Sequence, residues 1–223
     1  MGLFIAIEGG DGSGKGTQTK FLVEYLQSIG KDVMHLSFPR YGQDSAYYVE
    51  QYLNGNYGSA EDVPAELGTL PYALDRFAAK KDIELQLAKP NGIVISDRYM
   101  ASNLAHQGTK VADISIRHSF YNRTLKTEYD ILQIPRPNLN IVLLVPAQLS
   151  QINVDKKAKR DYTEKKRDIH EADESHLERA KRNYEELCLL YPDEFTSINC
   201  VSTDESMRPI DEIQLEIRTL ISS

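Results

Sequence analysis

A glycine-rich stretch near the N-terminus constrains the fold of this chain more than any other feature. Residues 9–18 read Gly-Gly-Asp-Gly-Ser-Gly-Lys-Gly-Thr-Gln; they follow an apolar run at 3–7 and precede a segment whose apolar residues recur with helical spacing. A strand, a glycine loop ending in Gly-Lys and a helix form a P-loop, in which backbone N–H groups and the positive end of the helix dipole face phosphate oxygens. The sequence therefore predicts a site for nucleotide phosphates, with Lys15 reaching the β- and γ-phosphates. The predicted phosphate-binding residues are Gly10, Asp11, Gly12, Ser13, Gly14, Lys15, Gly16 and Thr17.

Two positions of this loop narrow the kind of P-loop. Residue 16 is Gly, where many P-loops carry the Ser or Thr that ligates Mg²⁺. We therefore expect the metal to be held mainly by water and phosphate oxygens, which suits an ion that loses its water reluctantly. Asp11 places a carboxylate inside a loop that binds anions, and this predicts a second role for that residue.

Short apolar runs alternate with helical segments along the chain. We predict strands at 3–8, 32–37, 92–96, 139–145 and 197–201, and helical stretches at 15–29, 44–54, 64–89, 99–127, 147–157, 170–190 and 208–221. The strands are apolar without regular alternation, which is typical of a parallel sheet covered on both faces. This order predicts an α/β protein with the P-loop NTPase fold, a five-stranded parallel sheet flanked by helices, in a single domain over 1–223. Pro71 should kink or divide its helix.

Composition limits the function classes. The 223 residues carry a net charge of −7, which argues against a general nucleic-acid binder. Two cysteines are too few for a disulfide framework, and the sequence shows neither a secretory leader nor an apolar run long enough to span a membrane. These features predict a cytoplasmic protein.

A charged segment interrupts the apolar pattern late in the chain. Residues 155–168 are dense in Lys, Arg, Asp and Glu and nearly free of apolar side chains. A solvated helix end would have this composition, and so would a mobile basic lid that closes over phosphates. We predict a lid at about 155–170.

Polar residues follow the third predicted strand. Asp97, directly after the apolar run 93–95, is placed to orient Mg²⁺ or its waters, and Arg98 lies at the carboxyl end of the strand, where open α/β sheets bind ligands. A surface Asp-Arg pair would have the same sequence. Asn103 and Gln107 follow on a predicted helix and are able to read the edge of a base, although polar residues are also ordinary on an exposed helix face.

Two further motifs indicate a second ligand. The turn 38–42, Phe-Pro-Arg-Tyr-Gly, is able to present Arg40 and Tyr41 to an anion, although a plain strand-to-helix turn would have the same sequence. Tyr72 and Arg76 are four residues apart and share a helix face, an arrangement that suits a flat heterocycle although an aromatic residue at such a position also fits a core.

Together these motifs resemble the thymidylate kinase family, whose members make dTDP from dTMP and ATP. The resemblance covers most of the chain in the family's order and rests on 8–15, 38–41, 72–76, 97–99 with 102–103, and the late basic segment. Asp11 and the Asp-Arg-Tyr at 97–99 are its most specific parts, since the Gly-Lys-Gly-Thr-Gln tail of the loop is shared with adenylate kinases.

The resemblance implies a role for each matching residue. Asp11 would bind the deoxyribose 3′-hydroxyl near the acceptor phosphate and its Mg²⁺, while Phe38 and Tyr72 would flank the thymine. Arg76 would hydrogen-bond a thymine carbonyl and Asn103 would read the base edge. The acceptor phosphate would be held by Arg40, Tyr41 and Arg98. The implied catalytic residues are Lys15, Arg98, Asp11, Arg160 and Arg167; the implied metal residues are Asp11, Asp97 and Glu171; further substrate contacts are Ser102, His106 and Gln107.

The chain departs from the family at two places. His106 stands where a Tyr or Phe is common beside the sugar, which puts the exclusion of a 2′-hydroxyl in question. The P-loop lacks the Arg that some members carry, so the catalytic cation would come from the lid, from Lys159, Arg160, Lys166 or Arg167. The resemblance also implies Mg²⁺ as cofactor and a homodimer built on the helices near 44–54 and 64–89.

Other functions stay open at this point. A different nucleoside monophosphate kinase shares most of these features, and Glu8 at the end of the first strand is a candidate base for a deoxynucleoside kinase. A non-catalytic P-loop module is less favoured because Lys15, Asp97 and Arg98 are all present. A GTPase switch is disfavoured because 97–100 is not Asp-x-x-Gly and 153–156 is not Asn-Lys-x-Asp.

Overall fold

The chain folds around one parallel β-sheet. The computed structural model describes residues 2–60, 62–158 and 174–222. Its five strands are β1 (Leu3–Gly9), β2 (Asp32–Ser37), β3 (Gly92–Asp97), β4 (Leu139–Leu144) and β5 (Phe195–Asn199), in the spatial order β2-β3-β1-β4-β5. All neighbouring strands run parallel. The predicted five-stranded parallel sheet is thus confirmed.

Helices connect the strands within the described ranges. They are α1 (Lys15–Ser28), α2 (Tyr47–Leu53), α3 (Ala65–Leu87), α4 (Met100–Gln107), α5 (Ile114–Leu125), α6 (Ala147–Ala158), α7 (Glu174–Leu190) and α8 (Ile210–Leu220). Short 3₁₀ turns occupy Asp44–Ala46 and Gly108–Lys110, and a π-helical turn occupies Lys126–Ile131. None of the helices in these ranges is long and apolar enough to cross a membrane.

Three predicted elements differ clearly from the structure. Of the two outcomes expected at Pro71, a kink or a division, the division does not occur, because α3 continues through it and is fixed by residues buried on both sides, Thr69 before it and Ala73 after it. The predicted helix 99–127 is divided after Gln107, and α5 restarts at Asp113, whose carboxylate caps it by accepting from the Ile116 N–H at 2.9 Å. The last strand lies two residues earlier than predicted, since the buried Phe195 pairs with β4.

The sheet has a hydrophobic core on each face. In β1, Phe4 and Ala6 belong to one buried cluster, while Ile5 and Ile7 belong to the other. Alternate residues of a strand point to opposite faces, so a strand covered on both sides must be apolar throughout. This explains the unbroken apolar run before the glycine loop.

The topology locates the binding crevice. The strand β1 is central, between β3 and β4. The helix α1, which leads from β1 to β2, packs on one face of the sheet, whereas α3 and α5, which lead to β3 and β4, pack on the other. In open α/β sheets, ligands bind outside the carboxyl ends of the strands at such a switch point. The glycine loop leaves β1 at this position.

Candidate active site

A cavity of about 790 Å³ opens at the carboxyl edge of the sheet, a size typical of a small-molecule site. Nearly all the predicted site residues in the described ranges line it; Gly10 and Arg40 do not. The lining consists of Asp11–Gln18, Ser37–Pro39, Tyr41, Leu53, Tyr72, Arg76, Asp97–Tyr99, Ser102, Asn103, His106, Gln107, Asn153, Met207, Arg208, Ile210 and Ile213.

The glycine loop has the conformation that a P-loop requires. Gly12 has a φ of +74°, and a Cβ at this position would lie 2.2 Å from the Ser150 carbonyl oxygen, so a side chain is excluded. Gly14, with a φ of +89°, precedes the first turn of α1. Lys15 begins that helix, and its Nζ donates to the Gly10 carbonyl at 2.7 Å. The Lys15 side chain thus crosses the loop that we expect to bind phosphates, and its ammonium group lies against the Gly10 carbonyl.

The electrostatics of Lys15 follow from its burial. The side chain is almost fully buried. Burial and the neighbouring charge of Arg98 lower the pKa of Lys15 from 10.5 to about 8, although Asp11, Asp97 and Glu8 oppose the shift. The free site therefore contains a lysine that is only partly protonated above pH 8.

We expect ATP binding to take up protons in mildly alkaline solution. Triphosphate beside Lys15 favours the charged ammonium, so its pKa should rise on binding. At pH 8.5 the wild type should take up about 0.7 proton per ATP, from a free-state pKa near 8. Calorimetric titrations in two buffers of different ionisation enthalpy measure this number. Uptake of less than about 0.2 proton would contradict the assignment of Lys15 to the phosphates.

Arg98 connects β3 with the P-loop. It adopts a left-handed backbone conformation (φ 64°), and its N–H donates to the Ile7 carbonyl at 2.9 Å. Its guanidinium forms an ion pair with the Asp11 carboxylate and donates to Ser102 Oγ at 3.2 Å. Burial lowers the pKa of Arg98, but the charge of Asp11 and other acidic groups outweighs burial and raises it above its ordinary value. The structure thus fixes a permanent cation next to the carboxylate in the loop.

Glu8 supports this arrangement from behind the cavity. Its buried carboxylate accepts from the Tyr99 N–H at 2.8 Å and from the Ser102 hydroxyl at 2.5 Å. Burial raises the pKa of Glu8. The carboxylate faces protein donors and the residue does not line the cavity, so the geometry does not favour Glu8 as a base for a sugar hydroxyl.

The opposite wall carries the residues predicted to hold a heterocycle. Arg76 and Glu128 form a two-pronged ion pair with N–O distances of 2.7 and 2.6 Å, and each side chain is 1 % exposed. Phe38 packs edge-on against Tyr99, with 5.4 Å between ring centroids. Tyr72 also lines this wall. Aromatic rings and a fixed guanidinium therefore face the same space.

Arg40 lies apart from the other predicted phosphate ligands. Its N–H and Nε donate to the two carboxylate oxygens of Asp75 at 2.8 and 2.9 Å, and Nη2 donates to Ser45 Oγ at 2.8 Å. In this conformation the guanidinium holds the turn after β2 onto α3. The neighbouring Tyr41 is 60 % exposed and does line the cavity.

The unusual His106 has a partner that the sequence did not indicate. Its Nδ1 lies 3.1 Å from Nε2 of His176, and the two rings are stacked at 5.4 Å. Its Nε2 lies 3.4 Å from Nη1 of Arg98. A second histidine, from α7, therefore fixes the ring of His106 beside the cavity.

One residue that the sequence analysis missed, Asn153, lines the cavity. Asn153 donates from Nδ2 to the Gly12 carbonyl at 2.9 Å, and Gln18 donates from Nε2 to the Ile210 carbonyl at 3.0 Å. The first bond attaches α6 to the P-loop, and the second attaches the start of α8 to α1. Met207 and Arg208, which precede α8 in the chain, also line the cavity. The one available signal was position, because both segments follow carboxyl ends of strands at this edge.

Some predicted residues fall outside the described ranges. They are Lys159, Arg160, Lys166, Arg167 and Glu171, together with most of the predicted lid.

Comparison with known proteins supports the sequence resemblance. The family model described as thymidylate kinase matches residues 7–208. A relative named thymidylate kinase, from Mycobacterium tuberculosis, is 33% identical over 186 residues, covering 83% of this chain and 85% of the relative. Two solved thymidylate kinases have the same fold. The one from Ehrlichia chaffeensis has a TM-score of 0.66 at 21% identity over 99% of this chain and 98% of its own. The one from Candida albicans has a TM-score of 0.65 at 19% identity over 99% and 91%. The predicted family and the P-loop fold are thus confirmed.

Proposed function

The chain belongs to the thymidylate kinase family, and we propose that the cavity beside its P-loop is where it transfers the γ-phosphoryl group of ATP to dTMP. The products are dTDP and ADP. The ion pair between Asp11 and Arg98 is the observation that carries this assignment, because it joins the donor loop to the strand end that faces the acceptor.

The donor half of the site is built on the P-loop. Lys15 and the backbone of 11–17 would bind the ATP phosphates, with the helix α1 adding its positive end. Met207, Arg208 and Ile210 line the same cavity, and Ile210 accepts a hydrogen bond from Gln18 of α1; we propose that these three residues contact the adenine.

The acceptor half is built on α3 and α4. Tyr72 and Phe38 would enclose the thymine, and Arg76 and Asn103 would face its polar edge. Ser102, His106 and Gln107 complete this wall beside the sugar. Tyr41 and Arg98 would bind the dTMP phosphate, with Arg40 supporting the turn that presents Tyr41.

Charge neutralisation is the main task of the residues between the two halves. Two unit charges about 4 Å apart repel by roughly 4 kcal/mol at an effective dielectric near 20, so donor and acceptor phosphates need nearby cations. Lys15 and Arg98 supply two of them, and we propose that Arg160 and Arg167 in a closing lid at about 155–170 supply more. Phosphoryl transfer then depends on alignment, and the ionised acceptor phosphate needs no general base.

The family uses ATP with a divalent metal, and we propose that this metal is Mg²⁺ in the present protein. The residues fit this ion: a Cβ at Gly16 would lie 3.3 Å from Asp97 Oδ2, so the space that a side chain at position 16 would take faces a carboxylate. Asp97 would hold the ion through water, as Mg²⁺ prefers few protein ligands. Asp11 and Glu171 are the other proposed metal residues. The ion supplies charge stabilisation on the phosphates.

A substrate panel tests the proposed function. A coupled assay with ATP would compare dTMP, dUMP, UMP, CMP, AMP and thymidine. We expect dTMP to have the highest kcat/KM. A preference for AMP would instead indicate an adenylate kinase, and turnover of thymidine would indicate a nucleoside kinase.

We also propose that the protein is a homodimer. Four apolar residues of α3 recur with helical spacing and are 45–57% exposed: Leu67, Leu70, Leu74 and Phe77. An apolar stripe of this kind on a long helix is characteristic of a helix-to-helix contact between protein copies.

We expect the substitutions Leu70→Glu and Leu74→Glu together to convert the dimer to a monomer. Burial of two glutamate carboxylates in an apolar contact between copies has a large desolvation cost. Light scattering on a sizing column measures the mass. The double substitution Leu189→Glu/Leu215→Glu, at exposed positions on α7 and α8, is the control and should leave the mass unchanged. A monomeric wild type would contradict the dimer.

The remaining features are consistent with a cytoplasmic enzyme that acts as one domain over 1–223. The two cysteines, Cys188 and Cys200, are both free thiols. We propose small nucleotides as its ligands, without nucleic-acid or membrane partners.

A further inference from the structure

Glu128 occupies an unusual position behind the acceptor wall. It lies in the π-helical turn Lys126–Ile131, where the Leu132 N–H donates to the Thr127 carbonyl five residues earlier at 2.9 Å. π-Helical turns are rare in proteins, and those that occur are often found at functional sites. The turn brings Glu128 fully inside the protein, 52 residues along the chain from its partner Arg76.

The Glu128 carboxylate accepts from three donors. Oε2 accepts from Arg76 Nε at 2.7 Å, and Oε1 accepts from Arg76 Nη2 at 2.6 Å and from Asn103 Nδ2 at 3.3 Å. Arg76 and Asn103 both line the cavity, whereas Glu128 does not. One carboxylate therefore orients two side chains of the acceptor wall.

This arrangement fixes the polarity of the Asn103 amide. Its Nδ2 donates to Glu128 and to the Thr69 carbonyl, the latter at 3.2 Å, which accounts for both of its hydrogens. Its Oδ1 is buried and has no hydrogen-bond partner in the described part of the chain. The amide of Asn103 can therefore form one further kind of hydrogen bond, in which Oδ1 accepts.

Arg76 keeps the opposite polarity. Of its five N–H groups, two point to Glu128 and one to the Tyr99 carbonyl at 3.3 Å. Two remain as donors. The wall thus combines a guanidinium donor with an amide acceptor.

We propose that Glu128 is the positioning residue that gives the acceptor wall this polarity and so makes it select keto pyrimidines over cytosine. A thymine or uracil edge presents an O4 acceptor beside an N3–H donor, whereas cytosine presents an amino donor beside an unprotonated N3. The Arg76 donor and the Asn103 acceptor therefore match the edge of thymine or uracil, whereas the edge of cytosine would set donor against donor and acceptor against acceptor. This inference rests on the proposed function, since it assumes that the base of the acceptor lies against this wall.

Glu128→Gln is the direct test. A glutamine has one acceptor oxygen for the three donors, so in either orientation its NH₂ group faces an Arg76 N–H and the guanidinium loses one of its two bonds to residue 128. Where the NH₂ group takes the place of Oε1, it also faces Asn103, whose amide then turns over and presents Nδ2 to the base. We expect the ratio of kcat/KM for dTMP to that for dCMP to fall about 10–100-fold. The ratio for dTMP to dUMP should stay within about twofold, because these bases share the same edge.

Two further variants make the result decisive. Asn103→Ala leaves the ion pair of Arg76 and Glu128 in place and should also lower the dTMP-to-dCMP ratio. Glu186→Gln changes another two-pronged pair, with Arg117, outside the cavity, and should not alter the ratio. Melting temperatures establish that each variant is folded.

An unchanged dTMP-to-dCMP ratio in folded Glu128→Gln or in Asn103→Ala would overturn the inference. So would a fall in the dTMP-to-dUMP ratio as large as the fall against dCMP, since that would reflect a general loss of fit. A wild type that does not phosphorylate dTMP would instead overturn the proposed function.

Discussion

Lys15→Met should lower kcat/KM for ATP and dTMP by about a thousandfold or more, and it should stabilise the free protein. The loss of activity follows from the position of Lys15 at the start of α1, where its ammonium spans the P-loop. A preorganised cation in a site closed to water contributes far more to transfer than it would in solution. Methionine keeps the length and the apolar stem of lysine but removes the charge.

The gain in stability has the opposite origin. Burial lowers the pKa of Lys15 from 10.5 to about 8, so a protonated Lys15 costs the folded state about 3 kcal/mol at pH 7. Loss of the hydrogen bond to Gly10 offsets about 1 kcal/mol of this in the variant. We therefore expect the melting temperature of the variant to rise by about 4–8 °C at pH 7.

The pH dependence distinguishes this cause from a general packing effect. The destabilisation of the folded wild type by Lys15 is fully present below pH 8 and shrinks between pH 8 and 10.5. It is absent above pH 10.5, since the lysine is then neutral in both the folded and the unfolded state. The difference in melting temperature between variant and wild type should shrink accordingly. Lys20→Met, at a position 73% exposed on the same helix, is the control and should change neither activity nor stability. A destabilised Lys15→Met protein would contradict the account.

Local sequence patterns predicted the parts of the structure that depend on local chemistry. The P-loop followed from glycines, a lysine and the flanking apolar and helical patterns, and Gly12 shows why the glycine is required, because the Ser150 carbonyl leaves no room for a side chain. The sheet followed in the same way from runs buried on both faces. The helix is not divided at Pro71, because long-range packing outweighs the loss of a single backbone hydrogen bond.

Contacts between distant segments were not predictable. Glu128 belongs to no motif, and its role depends on a π-helical turn that only the folded chain reveals. Arg40 was expected to bind phosphate from its place in a turn, yet its side chain lies on Asp75, 35 residues away. His176 beside His106 is a third case. Each depends on which side chains the sheet brings together, and a single sequence does not encode that in any local pattern.

Arg98→Ala should lower kcat by about a thousandfold with dTMP as acceptor. Arg98 is the described cation that lies between the P-loop and the acceptor wall, and its conformation is fixed by backbone and side-chain bonds to Ile7 and Ser102. Its removal has two effects. A positive charge is lost next to the transferring group, and the Asp11 carboxylate that it neutralised is exposed to the phosphates.

A double variant separates these two effects. Without the charge of Arg98 beside it, the Asp11 carboxylate repels a phosphate about 4 Å away by roughly 4 kcal/mol at an effective dielectric near 20. Arg98→Ala/Asp11→Asn should therefore recover at least about tenfold of the kcat lost in Arg98→Ala. Arg117→Ala, which breaks a partly buried ion pair away from the cavity, should leave kcat nearly unchanged.

The outcome decides how the carboxylate in the P-loop is tolerated. If the double variant recovers activity, Asp11 remains in an anion site because Arg98 pairs with it, and the two residues act as one unit at the junction of donor and acceptor. If the double variant is as slow as Arg98→Ala, Asp11 contributes no repulsion, and the loss in the single variant is that of the cation alone. Near-normal kcat in Arg98→Ala would transfer the role of the central cation to the lid arginines.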